Sequence, residues 1–283
     1  MKHFKLTFIV FGLFLFGCNQ TGNKNALAFN EKLTDTAKSQ TAQQENAKEH
    51  GQLEDKEIDS TKSVIALFKT KNLDKISDKI SFPLYRQYPI PPIKDKDEFK
   101  QRFNEVFDKI LIEKIANSKI KQWTKVGWRG IMLDNGEVWM ANADGIITAV
   151  NHQSNFEKKL RKDLIDKGKE NLYISLKTFE SPIFSIKTKN YLIRIDELTN
   201  QKYRYASWKI GEKASSKPDI IIDNGKLEFE GSGGNHVITF VKGNYTYKIY
   251  RNIIGEENTP DIKLEIEKGG QIILAEDGKL IIE

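Results

Sequence analysis

The chain has 283 residues, 39% of them hydrophobic and 30% charged, with a formal net charge of +6 and a single cysteine. This composition supports ordinary buried cores and, at this length, two modest domains. Lysines and acids interleave without a long basic block, which argues against a nucleic-acid partner held through many phosphates. One cysteine excludes an intrachain disulfide and a cysteine-based metal cluster.

Lys2 and Lys5 precede an apolar run over residues 6–16, broken only by Thr7 and Gly12. A charged start and a short apolar run is the order of a secretory signal. The run is too short for a hydrocarbon core, which takes about 20 apolar residues, and no later stretch replaces it, so no transmembrane helix is expected. It closes on Leu15-Phe16-Gly17-Cys18. This tetrapeptide resembles the lipobox of bacterial lipoproteins, with Phe16 bulkier than is usual there. The resemblance implies cleavage between Gly17 and Cys18, a diacylglyceryl thioether on Cys18 and a fatty acyl group, such as palmitate, on the new amino group. One acyl chain holds a protein to a membrane only marginally, whereas two or three hold it firmly. Loss of Lys2 and Lys5 with the leader 1–17 lowers the net charge to +4.

Residues 18–59 comprise the lipidated cysteine and a polar stretch of Asn, Gln, Lys, Thr, Glu and Ala, the composition of a flexible tether. About forty such residues reach roughly 35 Å as coil. Asn19-Gln20-Thr21-Gly22 lacks the aspartate that lipoproteins use for inner-membrane retention. The resemblance therefore implies a cell-envelope location on the periplasmic side of a Gram-negative outer membrane.

A first folded unit is expected over residues 60–153. Asp59 or Ser60 caps a short amphipathic helix with Val64, Ile65, Leu67 and Phe68, and Asn72 caps a second with Leu73, Ile76 and Ile80. Tyr88-Pro89-Ile90-Pro91-Pro92 breaks the helical pattern. Asp95 then opens one long helix whose stripe is Phe99, Phe103, Val106, Phe107, Ile110 and Leu111. Three antiparallel strands follow at 123–133, 138–141 and 146–150, joined at Asp134-Asn135-Gly136 and Ala143-Asp144-Gly145. This order of two short helices, a strand at 81–85, a long helix and a meander resembles the cystatin-like cone fold of the nuclear transport factor superfamily. The resemblance implies a pocket between sheet and helix, lined by Phe103, Phe107, Trp128 and Trp139 with Arg129 at its mouth; the alternative is that these rings fill the core.

Ser154-Asn155-Phe156-Glu157 repeats the capping-box spacing and opens a connecting helix over 154–168, with Phe156, Leu160 and Leu164 on one face and Gly168 as its stop. Residues 169–283 read as an all-β domain, an antiparallel sheet or small barrel. Its alternating runs begin at Leu172 and are separated by turns that include Asn224-Gly225, Gly243-Asn244, Gly269-Gly270 and Asp277-Gly278. The fold class is α+β. Tyr203-Arg204-Tyr205-Ala206-Ser207-Trp208, Lys217-Pro218-Asp219 and the glycine loop 230–236 resemble a pattern of bacterial envelope proteins, which implies no activity.

The glycine loop lacks the Gly-Lys-Ser/Thr ending of a phosphate cradle and the aspartate that precedes a protease serine. His236 has no histidine partner at ligand spacing, so neither a metal nor another cofactor is expected. Ser232, Asn235 and His236 are candidates for a partner-facing loop, and no catalytic residue is assigned. The leading expectation is a non-enzymatic, lipid-anchored module that binds an envelope protein, sugar or peptide. An inhibitor of an envelope hydrolase such as lysozyme, by analogy with small lipid-anchored β-barrel inhibitors, and a cone-fold enzyme are the alternatives. The enzyme reading requires a histidine or raised-pKa carboxylate in the pocket, and residues 123–150 contain no histidine.

Overall fold

The computed structural model describes residues 50–281 apart from 143, 232 and 257. The leader, Gly17, Cys18, residues 19–49 of the tether and Ser232 lie outside the described residues. The chain combines helices with two antiparallel β systems, a five-stranded meander and a closed eight-stranded barrel. Among the described residues no helix is long and apolar enough to cross a membrane.

The N-terminal part begins with β1 (His50–Gly51) and helix α1 (Asp55–Thr70). The helix starts ahead of the Asp59 or Ser60 cap expected from sequence, because the Glu54 backbone N–H donates to the Glu57 carboxylate at 2.9 Å and closes the first turn there. Lys71, in the left-handed region, ends it. Asn72 caps α2 (Leu73–Ser77) by accepting from the Lys75 N–H.

The expected long helix is two. Asp95 caps α3 (Lys96–Val106), accepting from the N–H groups of Asp97 and Glu98. Phe107 leaves the helical region, and the Asp108 carboxylate takes the Leu111 N–H to start α4 (Lys109–Asn117). A cap residue inside an apolar stripe competes for the backbone donors that would have continued the helix. The break turns Ile110 out to 62% exposure although it belongs to the sequence stripe, while Phe107 and Leu111 stay buried.

The run 123–133 is likewise two strands, β2 (Trp123–Val126) and β3 (Ile131–Leu133), separated by a 3-10 turn at Gly127–Arg129. Gly130 re-enters the sheet at φ +105, and a Cβ there would lie 2.1 Å from the Met140 carbonyl oxygen, so only glycine fits. With β4 (Val138–Met140) and β5 (Ile147–Val150) the sheet order is β1-β2-β3-β4-β5. The helices fill one face. Phe68, Phe82, Phe99, Phe103 and Phe107 form the centre of that core, with Phe103 and Phe107 stacked at 5.2 Å.

Helix α5 (Asn155–Glu170) runs past Gly168 and does not bury Phe156, which is exposed. It buries Glu157 instead. Arg86 grips that carboxylate in a fork, Nε to Oε1 at 2.6 Å and Nη2 to Oε2 at 2.5 Å, with side chains 3% and 1% exposed. The same guanidinium donates to the carbonyls of Val150 and His152, so one side chain ties the 80s loop to the end of β5 and the start of α5.

The barrel comprises β6 (Ser181–Thr188), β7 (Tyr191–Leu198), β8 (Lys202–Lys209), β9 (Ile220–Phe229), β10 (His236–Lys242), β11 (Tyr245–Arg251), β12 (Ile262–Lys268) and β13 (Gln271–Ile281). Every strand pairs with its neighbour in sequence, and β13 returns to β6 from Gly278↔Thr188 to Ile281↔Ser185. An eight-stranded barrel is just wide enough for side chains to fill. Here alternate residues including Ile195, Tyr205, Ile238, Phe240, Ile249 and Leu264 fill it. Burial drives the Tyr205 hydroxyl's pKa upward, and that of Tyr203 up to about 12.

Three sequence expectations change here. Residues 172–179 are not a strand but a 3-10 turn (Ile174–Leu176) and loop that pad the outside of β8, with Leu172 and Leu176 over Ala206 and Trp208. Arg204, also on the outside, donates to the Leu176 and Thr178 carbonyls and pairs with buried Asp196 at 2.8 Å. Asn224-Gly225 and Asp277-Gly278 are not turns but interior points of β9 and β13. A Cβ on Gly225 would meet the Phe240 ring at 2.2 Å, and one on Gly278 would meet Ile186 at 2.7 Å. These glycines make room for large inward side chains and, at Asn224 with φ +66, form a bulge that shifts the β8–β9 register.

Candidate seam between sheet and barrel

The tight turn after β2 holds Trp128 away from both sheet faces, between Gly127 at φ +50 and Gly130, and leaves it 58% exposed. Across from it lies the glycine loop joining β9 to β10. The Glu230 N–H donates to the Asn235 carbonyl at 2.7 Å, and Gly231 and Gly234 take positive φ to close the loop. A Cβ on Gly233 would stand 3.5 Å from Trp128 Cη2 and 2.9 Å from Ile254 Cδ1, so the indole, this glycine and the isoleucine are packed together.

Asn235 fixes the second wall. Its Oδ1 accepts from the N–H groups of Ile253 and Ile254 at 2.8 and 2.9 Å, and its Nδ2 donates to the Ile254 carbonyl at 2.7 Å. That clamp presents Ile253 and Ile254 to solvent, 54% and 43% exposed. Tyr85, from the proline-rich loop of the N-terminal part, is also exposed and opens a cleft of 460 Å³ against Pro260, Asp261, Asp277 and Lys279. Arg251 backs the cleft, donating to the Asn252 and Asp261 carbonyls; burial lowers its pKa while the Asp261 carboxylate opposes that shift. Below this face the two parts are joined by Arg161, which donates to the Tyr88 carbonyl and the Ser181 hydroxyl, and by Tyr88 against Ser185.

The residues singled out from sequence separate into three groups. Phe103 and Phe107 belong to the phenylalanine core on the helix side of the sheet. Trp139 alternates with buried Val138 and Met140 and therefore lies on the other side, its indole against Gly136. These rings do not converge on one cavity between helix and sheet. Trp128, with Arg129 beside it in the turn, instead meets the glycine loop. Of that loop, Asn235 is engaged as the clamp, and half-buried His236 sets Nδ1 2.9 Å from the Gly234 carbonyl with its ring edge-on to Phe229. Burial lowers the His236 pKa below its ordinary value, which keeps the imidazole neutral at pH 7.

Tyr85, Ile253 and Ile254 were missed by sequence reasoning. Two adjacent isoleucines in the loop 252–261, among Asn252, Gly255 and Glu256, were the available signal, since buried strands alternate and loops have little use for paired aliphatics. The arrangement offers contact area in two places: Trp128, Ile253 and Ile254 against the glycine loop, and Tyr85 over a cleft walled by Asp261, Asp277 and Lys279. Among the described residues no group of three His, Cys, Asp or Glu side chains is placed to hold a metal ion. Comparison with protein-family models finds no match to this chain, and comparisons with curated proteins and with solved structures find none either.

Proposed function

We propose that this protein is a lipid-anchored cell-envelope module that binds a partner protein or peptide through the seam between its N-terminal part and its barrel. The observation that carries this reading is the exposed Trp128, packed against Gly233 and Ile254 from the other part of the chain. Binding hot spots are enriched in tryptophan and tyrosine set among contacts that exclude water, and contiguous apolar surface of this kind marks interaction sites on otherwise polar proteins. Helices packed on one face of an antiparallel meander support the cone-like reading of the N-terminal part, with its concavity occupied by phenylalanine rings. The anchor is Cys18, and the membrane is the outer membrane, with the folded part in the periplasm.

Two measurements test this. Cys18→Ser abolishes incorporation of labelled fatty acid and leaves the leader uncleaved; label retained in that variant refutes the anchor. Trp128→Ala costs less stability than truncation of a fully buried ring such as Phe107, as expected for a side chain 58% exposed, and abolishes partner contact. A photo-crosslinking residue at position 128 in living cells then gives a discrete adduct that is absent from the same residue at exposed position 110. Equal adducts at both positions, or none at 128, refute the seam as the binding surface.

A further inference from the structure

The two ends of the barrel differ in chemistry. β6, β8, β10 and β12 all run towards the end away from the seam. Lys189 follows β6 directly, and the other three strands finish on Lys209, Lys242 and Lys268, all four exposed. The strands running the opposite way finish on Leu198, Phe229, Arg251 and Ile281; of these four Arg251 is the cation, taken up by Asp261, while Lys202 and Lys279 also lie towards that end. One end therefore carries a ring of lysines spaced by the strand pairing itself. The acids at this end are engaged: Glu276 accepts from the Asn190 N–H and faces Lys189, Glu267 pairs with Lys248, and Glu212 and Asp219 share the β8–β9 loop with Lys213 and Lys217.

Apolar side chains project among these lysines. Val241 is 63% exposed, and Ile272 and Ile273 are each 57% exposed. Val241 pairs with Thr246, Thr246 with Glu267 and Glu267 with Ile272, so Val241 and Ile272 stand in one row beside Lys242 and Lys268. The bulge opposite Glu267 adds Ile273 to the same rim. β13 pairs with β6 only from Gly278 onward, and Asn190 of the β6–β7 turn binds the Glu276 carboxylate, so residues 271–275 project beyond that turn with one backbone edge unpaired by β6.

We propose that this lysine-ringed end docks on the surface of a bilayer containing anionic phospholipid. Lysine ammonium groups pair with headgroup phosphates, and Val241, Ile272 and Ile273 enter the boundary between headgroups and acyl chains. Basic residues gain from the negative potential of such a surface, and exposed aliphatic side chains add burial at the boundary. The unpaired edge of β13 keeps the contact shallow, because hydrocarbon cannot satisfy its donors and acceptors whereas the hydrated headgroup layer can. Residues 19–49, at 3.3–3.6 Å each, span about 100 Å at full extension, so a chain held at Cys18 can set this end on the same membrane. The seam then faces away from the bilayer.

The test is hydrogen exchange of the full chain on phosphatidylcholine vesicles with and without phosphatidylglycerol. Exchange over residues 241–246 and 268–274 slows several-fold on the anionic vesicles alone, while the glycine loop 230–235 at the other end is unchanged. Lys242→Glu with Lys268→Glu removes the protection, and Ile272→Ser with Ile273→Ser reduces it; exchange of the barrel core in solution verifies that each variant is folded. Equal protection on the two vesicle types, or protection that survives the charge reversals, overturns the proposal. Running Cys18→Ser in parallel keeps this result distinct from the anchor, since loss of membrane retention in that variant bears on Cys18 and vesicle-dependent protection bears on the rim.

Discussion

Replacing Arg86 with methionine destabilises the folded chain by about 3–5 kcal/mol, the cost of leaving a buried carboxylate without its partner. Glu157 has almost no solvent to turn to, and its two oxygens are both occupied by the Arg86 fork. The loss extends beyond the ion pair, because the same guanidinium satisfies the carbonyls of Val150 and His152 where β5 passes into α5. Glu157→Gln also destabilises, but by less, since the amide oxygen still accepts one of the two hydrogen bonds. The double variant Arg86→Met/Glu157→Leu is closer to the parent than Arg86→Met alone, as apolar replacement of a whole buried pair is often neutral. Urea unfolding of the four proteins measures this. A cost below about 1 kcal/mol for Arg86→Met, the range of an exposed pair, contradicts the burial of this site.

Phe107→Ala is expected to cost about 3–5 kcal/mol, the range for truncating a buried phenylalanine. Its ring lies 5.3 Å from Phe68, 5.8 Å from Phe99 and 5.2 Å from Phe103, at fully buried density between α1 and the break that separates α3 from α4. A ring lining an open pocket would instead be removed at small cost and with a change in ligand affinity. The comparison with Trp128→Ala is therefore informative in both directions: the phenylalanine variant loses stability and the tryptophan variant loses contact. If Phe107→Ala unfolds at the same urea concentration as the parent, the phenylalanine cluster is not the packed core described above.

Local hydrogen-bond chemistry was legible in the sequence. Asn72, Asp95 and Ser154 stand where α2, α3 and α5 begin, because an N-cap needs only its own side chain and the N–H groups two or three residues on. The alternation of apolar and polar residues beyond position 180 likewise announced antiparallel strands, since one strand suffices to set the two-residue period. Closure into an eight-stranded barrel was not legible, because it depends on β13 finding β6 across nearly a hundred residues. The same dipeptide chemistry gave different structures for a tertiary reason. Gly269-Gly270 turns the chain, but Asn224-Gly225 and Asp277-Gly278 stay within strands, where Phe240 and Ile186 occupy the space a side chain would need. Tertiary structure also chose the surfaces. A tryptophan in a strand-rich stretch reads as core, yet two glycines turned Trp128 outward onto a loop more than a hundred residues away, and Glu157, which reads as a solvated capping residue, was buried because Arg86 was there to receive it.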